Sequence, residues 1–246
     1  MTLFPTKGIV LRSVKYGETS VIVAIFTERF GLQSYIVNGI RTATKKTGPK
    51  GNPFQPAALL DLVVYHQDQK NIHRIKEYHW DTIYAHLYSD IFKASVATFM
   101  VELLQKCLTQ PEENEPLFAF MEDALQQLDK TTPAVVANYP VFFAIHLANF
   151  FGFRIADARG EGAFYLDLEE GVFTREQPAH QRFLDPAPAA VISQLLKVMQ
   201  PSELEAILLT GQQRRQLLQA LEAYYALHLP GFGNLRSLPV LQEVLG

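Results

Sequence analysis

Apolar and polar positions follow two different rhythms along this chain, and the change comes near Trp80. Upstream, Lys7–Tyr16 alternates and is rich in β-branched residues (Ile9, Val10, Val14). Gly17-Glu18 marks a turn, and Thr19–Thr27 is a nearly continuous apolar run of strand length. Glu28-Arg29-Phe30-Gly31 marks the next turn and leads into Leu32–Asn38. Ala57–Gln67 and Lys70–Tyr78 lie on either side of a short polar turn at Asp68-Gln69. Short β-favouring runs bounded by Gly, Asn and Asp are the mark of strands joined by tight turns. Five such runs, with hairpin-length turns except for one long connection, predict a small closed barrel. An OB-type barrel is the leading expectation, because it is five-stranded; an SH3-like barrel fits the same pattern.

Downstream the rhythm becomes helical. Asp81 is a candidate N-cap for a long helix over Ile83–Leu108, which contains neither Gly nor Pro. Pro111–Pro116 breaks it, and Leu117–Leu128 and Ala134–Phe151 predict two more helices. The second of these is apolar almost all round and should be central. Gly160–Thr174 alternates again around Glu169-Glu170-Gly171, which predicts a β-hairpin within about 160–175. Pro186–Pro188 reads as a linker, followed by helices over Ala189–Gln200, Glu203–Leu209, Gln212–Leu229 and Leu238–Leu245. The expected class is therefore α+β: a barrel domain over 1–80, then an all-α domain over 81–246 with a small hairpin insertion.

Composition adds bounds. A chain of 246 residues, 48% hydrophobic and 19% charged, can bury a real core. No secretory leader opens it, and its most apolar long run is interrupted by Asn138, Pro140, His146 and Asn149, so a cytoplasmic protein with no membrane span is expected. Cys107 is the only cysteine, which excludes an intrachain disulfide and a thiolate-rich metal site.

Charge changes the picture further. Residues 1–80 carry 11 Lys+Arg against 5 Asp+Glu (+6), and residues 81–246 carry 11 against 20 (−9). Such a split suggests that one half meets an anion and the other is turned away from it. The basic half concentrates its cations between Arg29 and Leu60, where Arg29, Arg41, Lys45, Lys46 and Lys50 occur with no Asp or Glu. The centre of that stretch, Asn38–Pro53, is rich in Gly, Pro and Thr and should be a mobile loop about 39–54. A solvated surface loop explains it equally well on composition alone.

Catalytic motifs are scarce. Lys46-Thr47-Gly48-Pro49-Lys50-Gly51 lacks the spacing of a phosphate-binding glycine loop, and no Gly-x-Ser-x-Gly or His-Glu-x-x-His occurs. The seven histidines are scattered without metal-ligand spacing. Neither a catalytic residue, a metal nor a cofactor is expected. Nucleic acid suits the barrel half better, since binding a single strand needs cations that follow the backbone and rings on which bases stack. Candidate contacts are Arg12, Lys15, Arg41, Lys45, Lys46, Lys50, Arg74 and Lys76, with Tyr35 as the stacking ring among Tyr16, Phe30, Phe54, Tyr65 and Tyr78.

The order of features also resembles a known family. Lys7-Gly8-Ile9-Val10-Leu11-Arg12, Tyr16-Gly17-Glu18-Thr19-Ser20, Phe26-Thr27-Glu28-Arg29-Phe30-Gly31 and Asn38-Gly39-Ile40-Arg41 together resemble the amino-terminal domain of the bacterial DNA repair protein RecO family. Gln55-Pro56 before Leu59-Leu60-Asp61-Leu62, and Leu235-Arg236-Ser237-Leu238 near the end, are similar to that family as well. The resemblance implies an OB-fold domain followed by a helical domain. It implies a non-enzymatic recombination mediator, cytoplasmic and nucleoid-associated, that binds single- and double-stranded DNA and anneals complementary strands. It implies RecR as a partner, together with loading of RecA, and in some bacteria contact with the acidic tail of single-stranded DNA-binding protein (SSB). Arg154, Arg214 and Arg215 are candidates for that tail, the last two beside Leu217, Leu218 and Leu221. Many members of the family carry a four-cysteine zinc site where this chain has Phe164–Phe173; here Phe164, Leu166, Leu168 and Phe173 are expected to pack in its place. Two other function classes stay open: a scaffold whose basic barrel binds an acidic protein, and a small enzyme with an unrecognised site.

Overall fold

The computed structural model describes residues 2–39, 52–67, 69–156 and 164–246. Arg41, Lys45, Lys46 and Lys50, with residues 40–51 of the loop expected over 39–54, lie outside the described residues. The chain divides into two compact units, residues 1–85 with 108–126, and residues 86–107 with 127–246.

In the first unit, the β-branched runs become β1 (Thr2–Tyr16), β2 (Ser20–Thr27), β3 (Gly31–Val37), β4 (Leu59–His66) and β5 (His73–Trp80). They close a barrel in the order β1-β2-β3-β5-β4. Four neighbouring pairs are antiparallel, and the β3–β5 seam is parallel, with Tyr35 opposite His73 and Ile36 opposite Arg74. That order and seam are OB-like, which separates the two barrels that the sequence pattern left open. Alternation fills the interior: Val10, Val21, Val23, Ile25, Tyr35, Val37, Ala58, Leu60, Leu62 and Val64 point inward, and Phe54 joins them.

One row on the outside of the barrel is buried as well. Phe26, Ile9 and Leu59 lie opposite one another across three strands and are all fully buried. The ring of Phe26 meets Phe118, 5.7 Å between centroids, on the helix Glu115–Lys130 that follows Pro111. Lys7 reaches Glu122 of the same helix at 2.8 Å and Asp81 at 3.1 Å. The hydrogen bond to Glu122, opposed by burial and reinforced by Asp81, pushes the Lys7 ammonium well above its ordinary pKa. Residues 108–126 therefore belong with the barrel, although their rhythm is helical. Tight approach is needed at Gly31 too, where φ is +60° and an added Cβ would overlap the Glu112 backbone.

The second unit contains α1 (Ile91–Cys107), the end of α2 (Glu115–Lys130), α3 (Pro133–Val136), α4 (Tyr139–Leu147), α5 (Pro186–Leu195), α6 (Gly211–His228) and α7 (Ser237–Val244). Strands β6 (Tyr165–Asp167), β7 (Val172–Thr174) and β8 (Phe183–Leu184) form a small sheet in the order β7-β6-β8.

Several helix boundaries differ from the sequence reading. The first helix begins at Ile91, eight residues later than expected, and Asp90 caps it by accepting from the N–H groups of Phe92 (2.8 Å) and Lys93 (3.2 Å). The backbone before it is held elsewhere, as His86 and Leu87 donate to the Asp129 carboxylate at 2.7 Å each. Ala134–Phe151 splits around Asn138 and Pro140, where the Asn138 side chain donates to the Ile207 carbonyl at 2.6 Å. Residues 201–206 are a 3-10 helix and not a regular α-helix. The hairpin forms with Leu166, Leu168 and Phe173 buried, but Phe164 is 48% exposed and does not join them. The third strand, β8, has no alternating signature because it is only two residues long. Burial pushes the Cys107 thiol well above its ordinary pKa, as expected for an inert packed cysteine.

Glu102 ties the C-terminal segment down. Its carboxylate accepts from the N–H groups of Arg236 (2.8 Å) and Ser237 (2.7 Å) and from the Ser237 hydroxyl (2.5 Å). Burial works against the charged form, but the Ser237 hydroxyl and the two backbone donors outweigh it, and the pKa is lowered.

Two substitutions check this packing. Gly31→Ala should destabilise the chain by at least about 1–2 kcal/mol from the left-handed backbone alone, read by thermal melting. Glu102→Gln should cost roughly 2 kcal/mol at neutral pH. A depressed carboxylate stabilises above its unfolded pKa and loses that contribution as pH falls through the folded one. The gap between wild type and Glu102→Gln should therefore close on acidification below the usual carboxylate range; a gap constant with pH would contradict it.

Candidate nucleic-acid interface

Residues that face each other across neighbouring strands share a face of the sheet, so strand register places the cations that lie on the described strands. In β1 a bulge at Leu11 shifts the register: Val10 faces Ile25, but Arg12 faces Ala24. Val10 points into the barrel, and an unbroken strand would send Arg12 inward with it. The extra residue reverses the alternation and turns Arg12, Val14 and Tyr16 outward.

Following the pairs from Val14 gives a row that runs round the barrel. Val14 faces Ile22, Ile22 faces Ile36, Ile36 faces Arg74, Arg74 faces Tyr65, and Tyr65 faces Leu3. None of these residues is buried, and Val14 is 45% exposed. Arg12, Ala24 and Ser34 form the neighbouring row, and Tyr16, 55% exposed, ends the same face of β1. The Ser20 hydroxyl beside it donates to Asn38 at 2.9 Å. The outer surface is thus a belt of exposed and half-buried apolar and aromatic side chains with Arg12 and Arg74 set into it.

A pocket of about 320 Å³ opens on the belt at the β3–β5 seam. Ile36, Tyr65, Gln67, Lys70, Ile72, His73 and Arg74 line it. Among the described strand residues, Asp61 sits opposite Lys7 and His79, and Glu77 opposite Val63. Arg12 and Arg74 are the expected contacts that the register turns to the outside of the barrel. Lys15 is exposed but faces Val21, whose side chain points inward, so it lies on the other side of its strand. Lys76 is the extra residue of a second bulge and pairs with Glu77 at 3.2 Å. Both side chains of that pair are well exposed, so the interaction is worth little. Arg29 is used locally, lying over the rings of Phe4 (5.4 Å) and Phe30 (5.7 Å) and donating to the Pro5 carbonyl.

Tyr35 is a correction. Its ring is 0% exposed and points into the barrel, 5.9 Å from the ring of His73. Flanking Gln33 and Ser34 suggest an exposed position, but Tyr35 shares the inward parity of Val37. Burial pushes its phenol well above the ordinary pKa, and it offers no face to a base. The exposed rings of the barrel are Tyr16 and Tyr78, and Tyr65 is half-buried on the outer side. Lys70 and Ile72 escaped the sequence reading because Lys70–Tyr78 reads as one strand, whereas β5 begins at His73 and both residues lie in the connection before it. A lone isoleucine between Lys70 and Arg74 was the available signal.

In the second unit, Arg214 is also a correction. Its guanidinium donates to the carbonyls of Leu209 (2.7 Å), Leu245 (3.0 Å) and Gly246 (3.5 Å), so it is committed within the chain. Burial, followed by the neighbouring Arg215, lowers its pKa. Leu217, Leu218 and Leu221 are buried and form no open groove beside it. Arg215 and Arg154 are exposed. Among the described residues, no group of three or more His, Cys, Asp or Glu is placed to hold a metal, and no helix is long and apolar enough to cross a membrane.

Comparison with known proteins matches this architecture along the whole chain. Residues 1–84 match the family described as Recombination protein O N terminal, and residues 88–239 match Recombination protein O C terminal. The chain is 33% identical to the DNA repair protein RecO of Phocaeicola vulgatus over 97% of its own length and 98% of that protein. It is 32% identical to the DNA repair protein RecO of Bacteroides fragilis and 29% identical to that of Flavobacterium johnsoniae, with 97% of this chain and 98% of each relative covered in both cases. An OB-like barrel with an arginine-studded outer belt, followed by a helical region with a small sheet, thus belongs to a chain of the RecO family of DNA repair and recombination proteins.

Proposed function

We propose that this chain, as a member of a family of non-enzymatic recombination mediators, binds single- and double-stranded DNA through the outer belt of its barrel and anneals complementary strands. The observation that carries this reading is the register that sets Arg12 and Arg74 into one outer belt with Val14, Tyr16, Ile36 and Tyr65. Cations on that face hold phosphates, and exposed rings and aliphatic side chains receive bases. Annealing follows from electrostatics: a strand whose phosphates are neutralised by the protein repels an incoming complementary strand less. The charge difference between residues 1–80 (+6) and 81–246 (−9) favours DNA on the barrel and leaves the acidic remainder for protein contacts. In this reading the partners are RecR and, on the helical part, the acidic tail of SSB, so that RecA is loaded onto SSB-coated single strands. With Arg214 committed to carbonyls, Arg154 and Arg215 are the remaining cations for such a tail.

A polarisation titration with a labelled oligonucleotide over a salt series tests the DNA reading. Each phosphate contact on a single strand adds about 0.7 to the slope of log K against log salt. Arg12→Ala with Arg74→Ala should weaken binding to all sequences and flatten the slope by roughly 1.4. Replacing Arg41, Lys45, Lys46 and Lys50 by Ala should flatten it further. Unchanged affinity and slope in both variants would refute DNA binding by the barrel. Competition by an acidic polypeptide for the same site, without any oligonucleotide binding, would instead favour a protein-binding scaffold.

A further inference from the structure

We infer that the pocket at the β3–β5 seam receives one unstacked nucleobase, which makes the barrel favour single strands over duplex; the inference rests on the nucleic-acid reading above. A duplex presents sugars and phosphates outward and keeps its bases stacked inside. It can satisfy Arg12, Arg74 and Lys70 but has nothing to offer an exposed aliphatic and aromatic surface. The belt is mostly such surface. Val14, Ile22, Ile36, Tyr65 and Leu3 all face outward, and Ile72, 47% exposed, adds to it beside the pocket.

The pocket fits a base in size and lining. Its volume, about 320 Å³, lies at the lower end of the range for small-molecule sites, roughly 300 Å³ upward. Ile36, Ile72 and the Tyr65 ring give apolar walls, and Gln67 gives an edge able to donate and accept. Lys70 and Arg74 stand on its lining, where the phosphates on either side of an inserted base can reach a cation. An apolar pocket bounded by two cations is complementary to one nucleotide of a single strand and to neither a neutral apolar ligand nor an acidic peptide lacking rings.

The test uses the full chain and three probes of equal length at one salt concentration: oligothymidine, a base-free deoxyribose-phosphate oligomer, and a duplex. The wild type should bind oligothymidine roughly fivefold or more tightly than the base-free oligomer, since stacking on an exposed side chain contributes at that level. Ile72→Ala should weaken oligothymidine binding by about threefold and leave the base-free oligomer, the duplex and the salt slope unchanged. Equal binding of oligothymidine and the base-free oligomer by the wild type would overturn the inference while leaving DNA binding intact. An equal loss on all three probes with Ile72→Ala would overturn it as well. Failure of the wild type to bind any probe at low salt would overturn the DNA reading itself. The comparison between the first two probes needs no variant, so it holds whatever the substitution does to folding.

Discussion

Closure of the barrel depends on a short parallel seam. Only Tyr35 with His73 and Ile36 with Arg74 pair between β3 and β5, whereas the antiparallel neighbours share longer ladders. An open five-stranded sheet would leave two edges with unsatisfied backbone groups, and closure removes them. The same two pairs fix what lies on each side of the wall. Tyr35 and His73 are turned inward and buried, and Ile36 and Arg74 are turned outward beside the pocket. The core and the candidate interface are thus two faces of one register.

Bulges adjust that register at the places where charge matters. The extra residue at Leu11 is what puts Arg12 on the solvent side, and the one at Lys76 leaves Glu77 facing outward and Tyr78 facing Leu62. A one-residue slip moves every later side chain to the opposite face, so each bulge sets the electrostatics of its strand. Lys15, three residues from Arg12 and past the same bulge, has the opposite parity and lies on the other side of β1. Proximity in sequence is a poor guide to a shared surface here.

Several residues that carry the family resemblance have structural work to do. Lys7 is held between Glu122 and Asp81, and Gly31 has a backbone and a neighbour that exclude a side chain. Gly8 is similarly constrained, since a Cβ would press on Ile25 and Leu62. Ser237 and the Arg236 N–H bind Glu102. These positions give part of the motif resemblance a structural origin, while Arg12 and Tyr16 of the same motifs lie on the outer belt. The belt residues around the pocket are ordinary aliphatics and aromatics, which leave no such signature.

From sequence alone, the rhythm of apolar positions established the strands, the helical remainder and the hairpin. These follow from local rules: period-two alternation, Gly-marked turns and helical stripes report on a residue's immediate neighbours. The charge asymmetry was equally legible, because charge is additive along a chain. Tertiary structure alone decided the strand order, the face on which each cation sits and the burial of Tyr35. It also decided the allegiance of residues 108–126 to the barrel, because Phe118 and Glu122 find their partners about a hundred residues upstream. Arg214 reads as an exposed helix cation until its carbonyl partners are known. Each of these depends on pairing between distant segments, and a bulge of one residue is enough to reverse what local alternation predicts.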